Sequence, residues 1–280
     1  PTYLLGSEEG DWWRRAEFNW GASVHAGAGL AALTLGKIAP EKSARVLAEV
    51  RDGLSYVIAH LPAGGGWTEG LMYHATTLGH LTDFVAAHVR LGGDDYGLSR
   101  NPRFRESLDS RLRMIGGDAR PLNFSNCNAG NNEWRLPHTW WWAMHCDRPD
   151  WAGFEEAFPR DCFDTQVVFL DVELFWYRRP RQPSTIWRQP EGIWHGRELD
   201  WLSWKRNGVW LGFRSGNNGY NHNQFDLGQL IFGRGGERVL CDPGYGTAAT
   251  ASHSCITVRN DNQARGAEAK LFRVREFECT

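Results

Sequence analysis

The sequence predicts two regions, a series of antiparallel helices followed by a region of short antiparallel strands. In the first half, apolar residues recur at helical spacing, and strands do not alternate with the helices. In the second half, Gly, Asn and Asp turns separate short apolar runs, which is the pattern of a β-sandwich. Prolines and basic residues between the two halves indicate a linker over 178–190. We therefore expect a multidomain α and β protein, with a helical domain over 1–178 and a strand domain over 190–280.

The first region contains the elements with the clearest end signals. The second predicted helix ends before Pro62, because a residue that precedes proline disfavours helical dihedral angles. Asn101 and Pro102 mark the start of the fourth helix as its N-cap and its first residue. The predicted helices cover 17–36, 41–61, 71–89 and a stretch beginning at Pro102, and a loop over 123–132 precedes an aromatic helix through Trp140, Trp141 and Trp142.

The second region contains five predicted strands. They span 209–213, 227–232, 238–241, 253–258 and 271–277. Apolar runs of this length, bounded by turn residues, are typical of strands in sandwiches. The stretch 166–177, ahead of the linker, fits a helix or a strand equally well.

Composition and charge exclude several classes of protein. Of the 280 residues, 41% are hydrophobic and 23% are charged, which is typical of a folded globular protein. The net charge of −2 argues against a nucleic-acid-binding protein with a broad basic face. No apolar run is long enough to span a membrane. The chain begins at Pro1 without a secretory signal, so we expect a processed or truncated protein.

The range 216–253 combines a polar, Gly- and Asn-rich loop with short apolar runs. His222, Gln224 and Asp226 alternate in the loop, and Asp242 and His253 follow after further turns. In an extended segment, residues two apart point to the same face, so we expect the first three side chains to converge. Loops on a rigid β scaffold are a frequent place for function.

Taken together, these residues resemble the heparinase II/III family of polysaccharide lyases. The family's motif is matched by His222-Asn223-Gln224-Phe225-Asp226-Leu227-Gly228, by Asp242-Pro243-Gly244 and by His253-Ser254-Cys255-Ile256-Thr257. The resemblance extends over nearly the whole chain, and it implies an incomplete (α/α) toroid followed by an incomplete antiparallel β-sandwich. It also implies a bacterial enzyme, periplasmic or secreted, that degrades glycosaminoglycans, alginate or another uronate polymer.

The family's reaction is β-elimination at a uronic acid, which needs a group that neutralises the carboxylate and groups that act as acid and base. The resemblance assigns these roles to Asn19, Tyr73 and His222. An amide donates to a carboxylate without adding charge, and histidine titrates near neutral pH. Structural alternatives stay open, with Asn19 as a helix N-cap, Tyr73 as a packing residue and His74 as the competing acid or base.

Four further residues are candidates for binding the substrate. Glu69 lies one helical turn before Tyr73 and can orient it, and Arg214 can hold a carboxylate through two hydrogen bonds. Trp20 occupies the place where many members of the family have histidine. His138 either lines the cleft or is a buried imidazole.

The resemblance also implies a structural zinc bound by Gln224, Asp242 and His253. Zinc prefers histidine, cysteine and carboxylate ligands, and an amide oxygen is a poor ligand. A zinc site and a metal-free, hydrogen-bonded cluster are therefore equally open. We expect Asp226 to brace the loop.

Three functions are open from the sequence alone. A lyase that acts on acidic polysaccharides or oligosaccharides would use the Asn, Tyr and His named above. A glycoside hydrolase needs two carboxylates beside the bond, with Glu69 and either Glu133 or Asp118 as candidates. A non-catalytic glycan-binding relative would rely on the tryptophans, of which the chain has 15.

Overall fold

The structure, a computed structural model, describes residues 12–130, 134–156 and 190–275. Its α-helices are α1 (Asn19–Leu35), α2 (Pro40–Ala59), α3 (Leu71–Arg90), α4 (Pro102–Arg113), α5 (Thr139–His145) and α6 (Pro149–Glu156). Its strands are β1 (Gly192–Gly196), β2 (Trp201–Arg206), β3 (Val209–Arg214), β4 (Gly216–Asn217), β5 (Leu230–Arg234), β6 (Glu237–Leu240) and β7 (Glu268–Ala269). The described chain is a mixed α and β fold in which helices come first and strands follow.

The helices begin and end where local signals predict. α2 ends at Ala59, shortly before Pro62. Asn101 caps α4, since its side-chain oxygen accepts hydrogen bonds from the backbone N–H groups of Arg103 and Phe104, at 2.9 and 3.3 Å. The predictions for both helices are confirmed.

Small residues let α1 pack closely against α2 and α3. A Cβ atom on Gly29 of α1 would lie 2.4 Å from the ring of Phe84 in α3. A Cβ atom on Gly53 of α2 would lie 2.0 Å from the ring of His25 in α1. Packing this close requires a partner without a side chain. It places the first turns of α1 and α3 side by side.

Five strands form one antiparallel sheet in the order β1-β2-β3-β5-β6, and β4 pairs separately with β7. One face of the larger sheet contributes Trp201, Trp210 and Ile231 to the same buried core as Leu122 and Phe124, which follow α4. The opposite face is apolar and lines an open cavity of about 530 Å³. The sheet is therefore anchored on the helical region through its inner face.

Two of the predicted strands are wrong. No strand forms over 253–258, where Ile256 is 88% exposed, and none forms over 271–275, where Phe272 is 89% exposed. Apolar side chains this exposed do not pack against another element, so they do not stabilise a strand, and the alternating pattern in these stretches does not lead to one. At the start of the first stretch, the backbone N–H of Ser254 donates to a glutamine side chain instead of to a neighbouring strand.

Other strand predictions need smaller corrections. β1, β2, β4 and β7 were not predicted from the sequence. β5 begins at Leu230 and not at Leu227, because the backbone N–H of Gln229 donates to the Asp226 carbonyl at 2.9 Å and closes a turn. Pairing with distant segments decides such short elements, and local composition specifies them weakly.

Several predictions fall outside the described residues. These are the ambiguous stretch 166–177, the linker at 178–189, the carboxylate of Glu133 and the end of the last predicted strand at 276–277. Among the helices that the structure describes, none combines the length and the apolar character that crossing a membrane requires.

Candidate active site

Three segments meet at one edge of the helical region: the start of α1, the start of α3, and the loop 218–229 between β4 and β5. They carry Asn19, Glu69, Tyr73 and His222. Gly70 directs the chain into α3 with a φ of +88°, and a Cβ atom there would lie 2.5 Å from the carbonyl oxygen of Phe124. Only glycine fits such a position. The preceding residue, Glu69, therefore turns inward beneath α1.

Glu69 is the centre of the hydrogen bonds at this edge, and it is fully buried. Its Oε1 atom accepts from the side-chain amides of Asn19 and Asn221, both at 2.8 Å. Its Oε2 atom accepts from the backbone N–H of Asn19 at 2.6 Å and from the indole N–H of Trp67 at 3.0 Å. His222 Nε2 lies 3.6 Å from Oε1. One carboxylate thus joins the start of α1 to the loop 218–229.

The structure separates the two interpretations of Asn19. The N-cap of α1 is Phe18, whose own side chain makes no capping hydrogen bond. Asn19 is the first residue of the helix, and its amide nitrogen donates to Glu69. Its side chain is therefore directed at Glu69, and the carboxylate of Glu69 satisfies the first backbone N–H of the helix.

Tyr73 and His222 stack on each other at the surface of the site. Their ring centroids lie 3.8 Å apart, with the planes 12° from parallel, and both residues are partly exposed. The Tyr73 hydroxyl lies 3.1 Å from the hydroxyl of Tyr245. Burial lowers the pKa of His222, and the opposing effect of Glu69 is smaller. The imidazole is therefore neutral at physiological pH.

A chain of amides orients the imidazole of His222. Gln224 Nε2 donates to the carbonyl of Gly244 at 3.0 Å and to Asn126 Oδ1 at 3.1 Å. The amide nitrogen of Asn126 then faces His222 Nδ1 at 3.1 Å. Because an amide nitrogen only donates, Nδ1 accepts, and the proton of the neutral ring lies on Nε2, toward Glu69.

Trp20 and His138 differ sharply in exposure. Trp20 is 50% exposed beside Asn19, with its ring 5.5 Å from that of Trp12. His138 is completely buried, and its Nε2 atom lies 3.2 Å from a carboxylate oxygen of Asp83. Of its two sequence interpretations, the structure shows the buried imidazole.

His74 and Arg214 are both buried away from the stacked rings. His74 Nε2 lies 2.7 Å from the hydroxyl of Ser107, and burial lowers the pKa of His74 well below its ordinary value. It does not take the place of Tyr73. Arg214 lies 2.7 Å from Asp226, and neither side chain is exposed. The expected contact between Arg214 and a substrate carboxylate does not agree with this placement, because its partner is a carboxylate of the protein.

The loop itself is not extended, which corrects the prediction of convergence. His222 has a φ of +58°, so the side chains on either side of it do not alternate in a regular way. His222 faces Tyr73, Gln224 faces a neighbouring loop, and Asp226 faces Arg214. The three side chains serve two different clusters.

Asp226, Asp242 and His253 form the second, buried cluster. One possible ligand atom from each residue lies within 4.8 Å of the others. His253 Nδ1 is 3.1 Å from Asp242 Oδ2, and its Nε2 is 3.0 Å from the carbonyl of Thr247. Two carboxylates and an imidazole nitrogen are a set that suits zinc. Asp226 occupies the place predicted for Gln224, whose amide nitrogen is directed elsewhere.

Sequence reasoning missed three residues of the site. They are Asn126, Asn221 and Tyr245, which come from three different loops. For Asn126 and Asn221 the sequence offered only the density of asparagine in 123–132 and 217–223, which is a weak signal because asparagine is common in any turn. Their role depends on contacts across long separations along the chain.

Solved structures show where this fold recurs. The crystal structure of heparan sulfate lyase HepC from Pedobacter heparinus is similar over 85% of this chain and 37% of that chain, with a TM-score of 0.60 and 13% identity. The heparinase III product of the BT4657 gene matches over 84% of this chain and 36% of that chain, with a TM-score of 0.60 and 13% identity. A further crystal structure of heparinase III matches over 89% of this chain and 40% of that chain, with a TM-score of 0.59 and 16% identity.

The chain therefore has a fold similar to part of these lyases, and it spans 36–40% of their length. No protein-family model matches the sequence. No curated protein matches it either. At such low identity the likeness is one of fold, and the function has to be argued from the site.

Proposed function

We propose that the protein is a polysaccharide lyase that cleaves uronate-containing glycans by β-elimination, with heparan-type glycans as the first substrate class to test. The observation that carries this proposal is the meeting of Asn19, Tyr73 and His222 around the buried Glu69. The fold shared with a heparan sulfate lyase supports the substrate class.

The geometry suits the first requirement of the reaction, which is to neutralise the uronate carboxylate. One amide hydrogen of Asn19 is engaged by Glu69, which leaves the second for a substrate oxygen. Donors placed where negative charge accumulates stabilise the enolate-like transition state.

The remaining requirement is proton transfer, which we assign to Tyr73 with His222 beside it. The C5–H bond breaks, its electron pair forms the C4–C5 double bond, and the C4–O bond breaks. Tyr73 reacts as its phenolate: its oxygen receives the C5 proton and then gives that proton to the departing glycosidic oxygen, which restores the phenolate. The hydroxyl of Tyr245, at 3.1 Å, can donate to the Tyr73 oxygen while it carries negative charge.

We extend the proposal to the architecture and the metal. The helices would belong to an (α/α) toroid over 1–178, and the five-stranded sheet would be one layer of a β-sandwich over 190–280, which agrees with its apolar outer face. A structural zinc held by Asp226, Asp242 and His253 would brace the loop 218–229. No proton transfer is assigned to it.

The hydrolase alternative has less support among the described residues. Glu69 is buried and accepts four hydrogen bonds from the protein. Asp118 lies 2.9 Å from Arg238, and both side chains are nearly buried. Neither carboxylate is available to flank a glycosidic bond, as hydrolysis requires.

The test is the ultraviolet absorbance of unsaturated uronate during incubation with heparan sulfate, chondroitin sulfate, hyaluronan and alginate. We expect absorbance to rise with heparan sulfate and to be lost in Tyr73→Phe and His222→Ala. Tyr96→Phe is the matched control, because Tyr96 packs between α2 and α3 beside Arg51 and His88. Reducing ends without absorbance would indicate a hydrolase, and no product at all would favour a glycan-binding protein.

A further inference from the structure

We infer that Glu69 is the positioning residue of this site: it holds Asn19 in the orientation in which the second amide hydrogen reaches the substrate, and it lies against the His222 ring that stacks on Tyr73. This inference rests on the proposed function and deepens it. The sequence suggested a contact between Glu69 and the substrate, whereas the structure places its carboxylate entirely beneath the reacting groups.

The partners of Glu69 define its chemistry. All four groups that bond to it are donors: a backbone N–H, two side-chain amides and an indole N–H. A carboxylate has acceptor sites for all of them, whereas a protonated carboxyl would need an acceptor that is not among these four partners. The side chain therefore acts as an acceptor only and leaves no oxygen for a sugar hydroxyl.

The first consequence concerns Asn19. A side-chain amide can rotate so that either its oxygen or its nitrogen faces a given partner. Glu69 selects the nitrogen, because Oε1 accepts from Nδ2 at 2.8 Å while Oε2 accepts from the backbone N–H of the same residue at 2.6 Å. With this orientation, the second amide hydrogen is directed away from Glu69 and is available to a substrate carboxylate.

The second consequence concerns His222. The amide of Asn126 donates to Nδ1, which leaves the ring proton on Nε2, at 3.6 Å from Glu69 Oε1. Asn221, the residue before His222, is tied to the same oxygen at 2.8 Å. Glu69 thus fixes the residue before His222 through a hydrogen bond and lies beside the ring on one side, while Asn126 bonds to the ring on the other.

The chain offers a matched control in Glu155. It is as deeply buried as Glu69, and it also accepts from several groups: Arg135 at 3.3 Å, the backbone N–H of Leu136 at 3.2 Å and the hydroxyl of Thr139 at 3.3 Å. None of these partners belongs to the site. Replacing either glutamate removes a buried acceptor, but only Glu69 touches Asn19 and loop 218–229.

The experiment compares Glu69→Gln, Glu69→Asp and Glu155→Gln in steady-state kinetics on heparan sulfate and in thermal unfolding. In Glu69→Gln, an amide nitrogen replaces one acceptor and meets donors, so Asn19 and His222 lose their orientation. We expect kcat to fall by about 100-fold with KM changed by less than about 3-fold, the pattern of lost transition-state donors. Glu155→Gln should lower the unfolding temperature and leave kcat, measured below that temperature, unchanged.

Glu69→Asp keeps the charge and shortens the reach, so it should fold even where Glu69→Gln does not, with an intermediate loss of kcat. Wild-type kcat in the folded Glu69 variants, or an equal loss in Glu155→Gln, would overturn the inference. A second readout is independent of catalysis: the NMR signals of the Asn19 backbone N–H and side-chain amide should both show strong hydrogen bonding in the wild type, and at least one should lose it in Glu69→Gln. Unchanged Asn19 signals in that variant would also overturn the inference. Absence of lyase activity in the wild type, with the change in the Asn19 signals present, would instead refute the proposed function alone.

Discussion

Two polar clusters of this molecule, each built on a buried carboxylate, share one loop but differ in what surrounds them. The first is centred on Glu69 and joins Asn19, Trp67, Asn221 and His222. The second joins Arg214, Asp226, Asp242 and His253. Loop 218–229 supplies His222 to the first cluster and Asp226 to the second.

The clusters differ in where their charges are compensated. In the second cluster, Arg214 lies 2.7 Å from Asp226 and His253 lies 3.1 Å from Asp242, with all four side chains fully buried. In the first, the carboxylate of Glu69 is met only by donors, and the chain of contacts continues to partly exposed rings. Buried charges that are all paired within the protein fit a structural role, whereas a buried acceptor that orients donors beside partly exposed rings fits the proposed reaction.

The largest effect that this comparison predicts is on stability, in the second cluster. Arg214→Met leaves Asp226 buried without its partner, and we expect the free energy of unfolding to fall by about 3–5 kcal/mol. Chemical denaturation monitored by tryptophan fluorescence measures this change. In protein stripped of metal by a chelator, the double variant Arg214→Met/Asp226→Leu should recover much of it, because Asp226 no longer stays buried without a partner. A double variant as unstable as the single one would contradict the bracing role.

The next effect is on catalysis, in the first cluster. Asn19→Ala removes the proposed donor to the substrate carboxylate, and we expect kcat to fall by about 10²–10³-fold with little loss of stability. The control is Asn101→Ala, since Asn101 is a true N-cap that accepts from Arg103 and Phe104. That variant should lose about 1 kcal/mol of stability and no activity. A loss of stability without a loss of kcat in Asn19→Ala would show that Asn19 has a structural role.

A smaller effect is expected where the loop passes from one cluster to the other. Gln224→Leu removes the donor that orients Asn126, so the amide can turn and the ring of His222 loses its fixed tautomer. We expect kcat to fall by about 10-fold. Gln229→Leu is the matched control, because Gln229 is equally buried but accepts from the backbone N–H of Ser254. It should lower the unfolding temperature without this loss of kcat.

The smallest effect concerns acid stability and arises outside both clusters. Burial lowers the pKa of His74 well below 6.5, so the folded state holds it neutral while the unfolded state takes up a proton. The stabilising contribution is complete above about pH 6.5 and decreases as pH falls toward the folded-state pKa, by at most about 1.4 kcal/mol per pH unit. His74→Gln should flatten the decline of the unfolding temperature between about pH 6.5 and pH 5. If the unfolding temperature of His74→Gln declines with falling pH as steeply as that of the wild type, groups other than His74 cause the decline.

Elements with local signals were predictable from the sequence. The cap at Asn101 and the end of α2 before Pro62 each depend on a few neighbouring residues, and the structure confirms both. The predicted strand 253–258 does not form, because its apolar residues stay exposed and do not pack against a neighbouring surface. Periodicity predicts which side of an element is apolar, but whether a partner lies there depends on distant parts of the chain.

The sequence by itself determined the order of helices and strands and which residue types stand in the candidate site, with Asn19, Tyr73 and His222 as its proposed catalytic set. Only the tertiary structure decided that Glu69 lies beneath these groups, that Asn126 orients the imidazole, and that Asp226 belongs with the second cluster. The physical reason is the range of the interactions. Helix hydrogen bonds and caps join residues within a turn of each other, whereas the acceptor at Glu69 collects donors from α1 and from a loop far along the sequence.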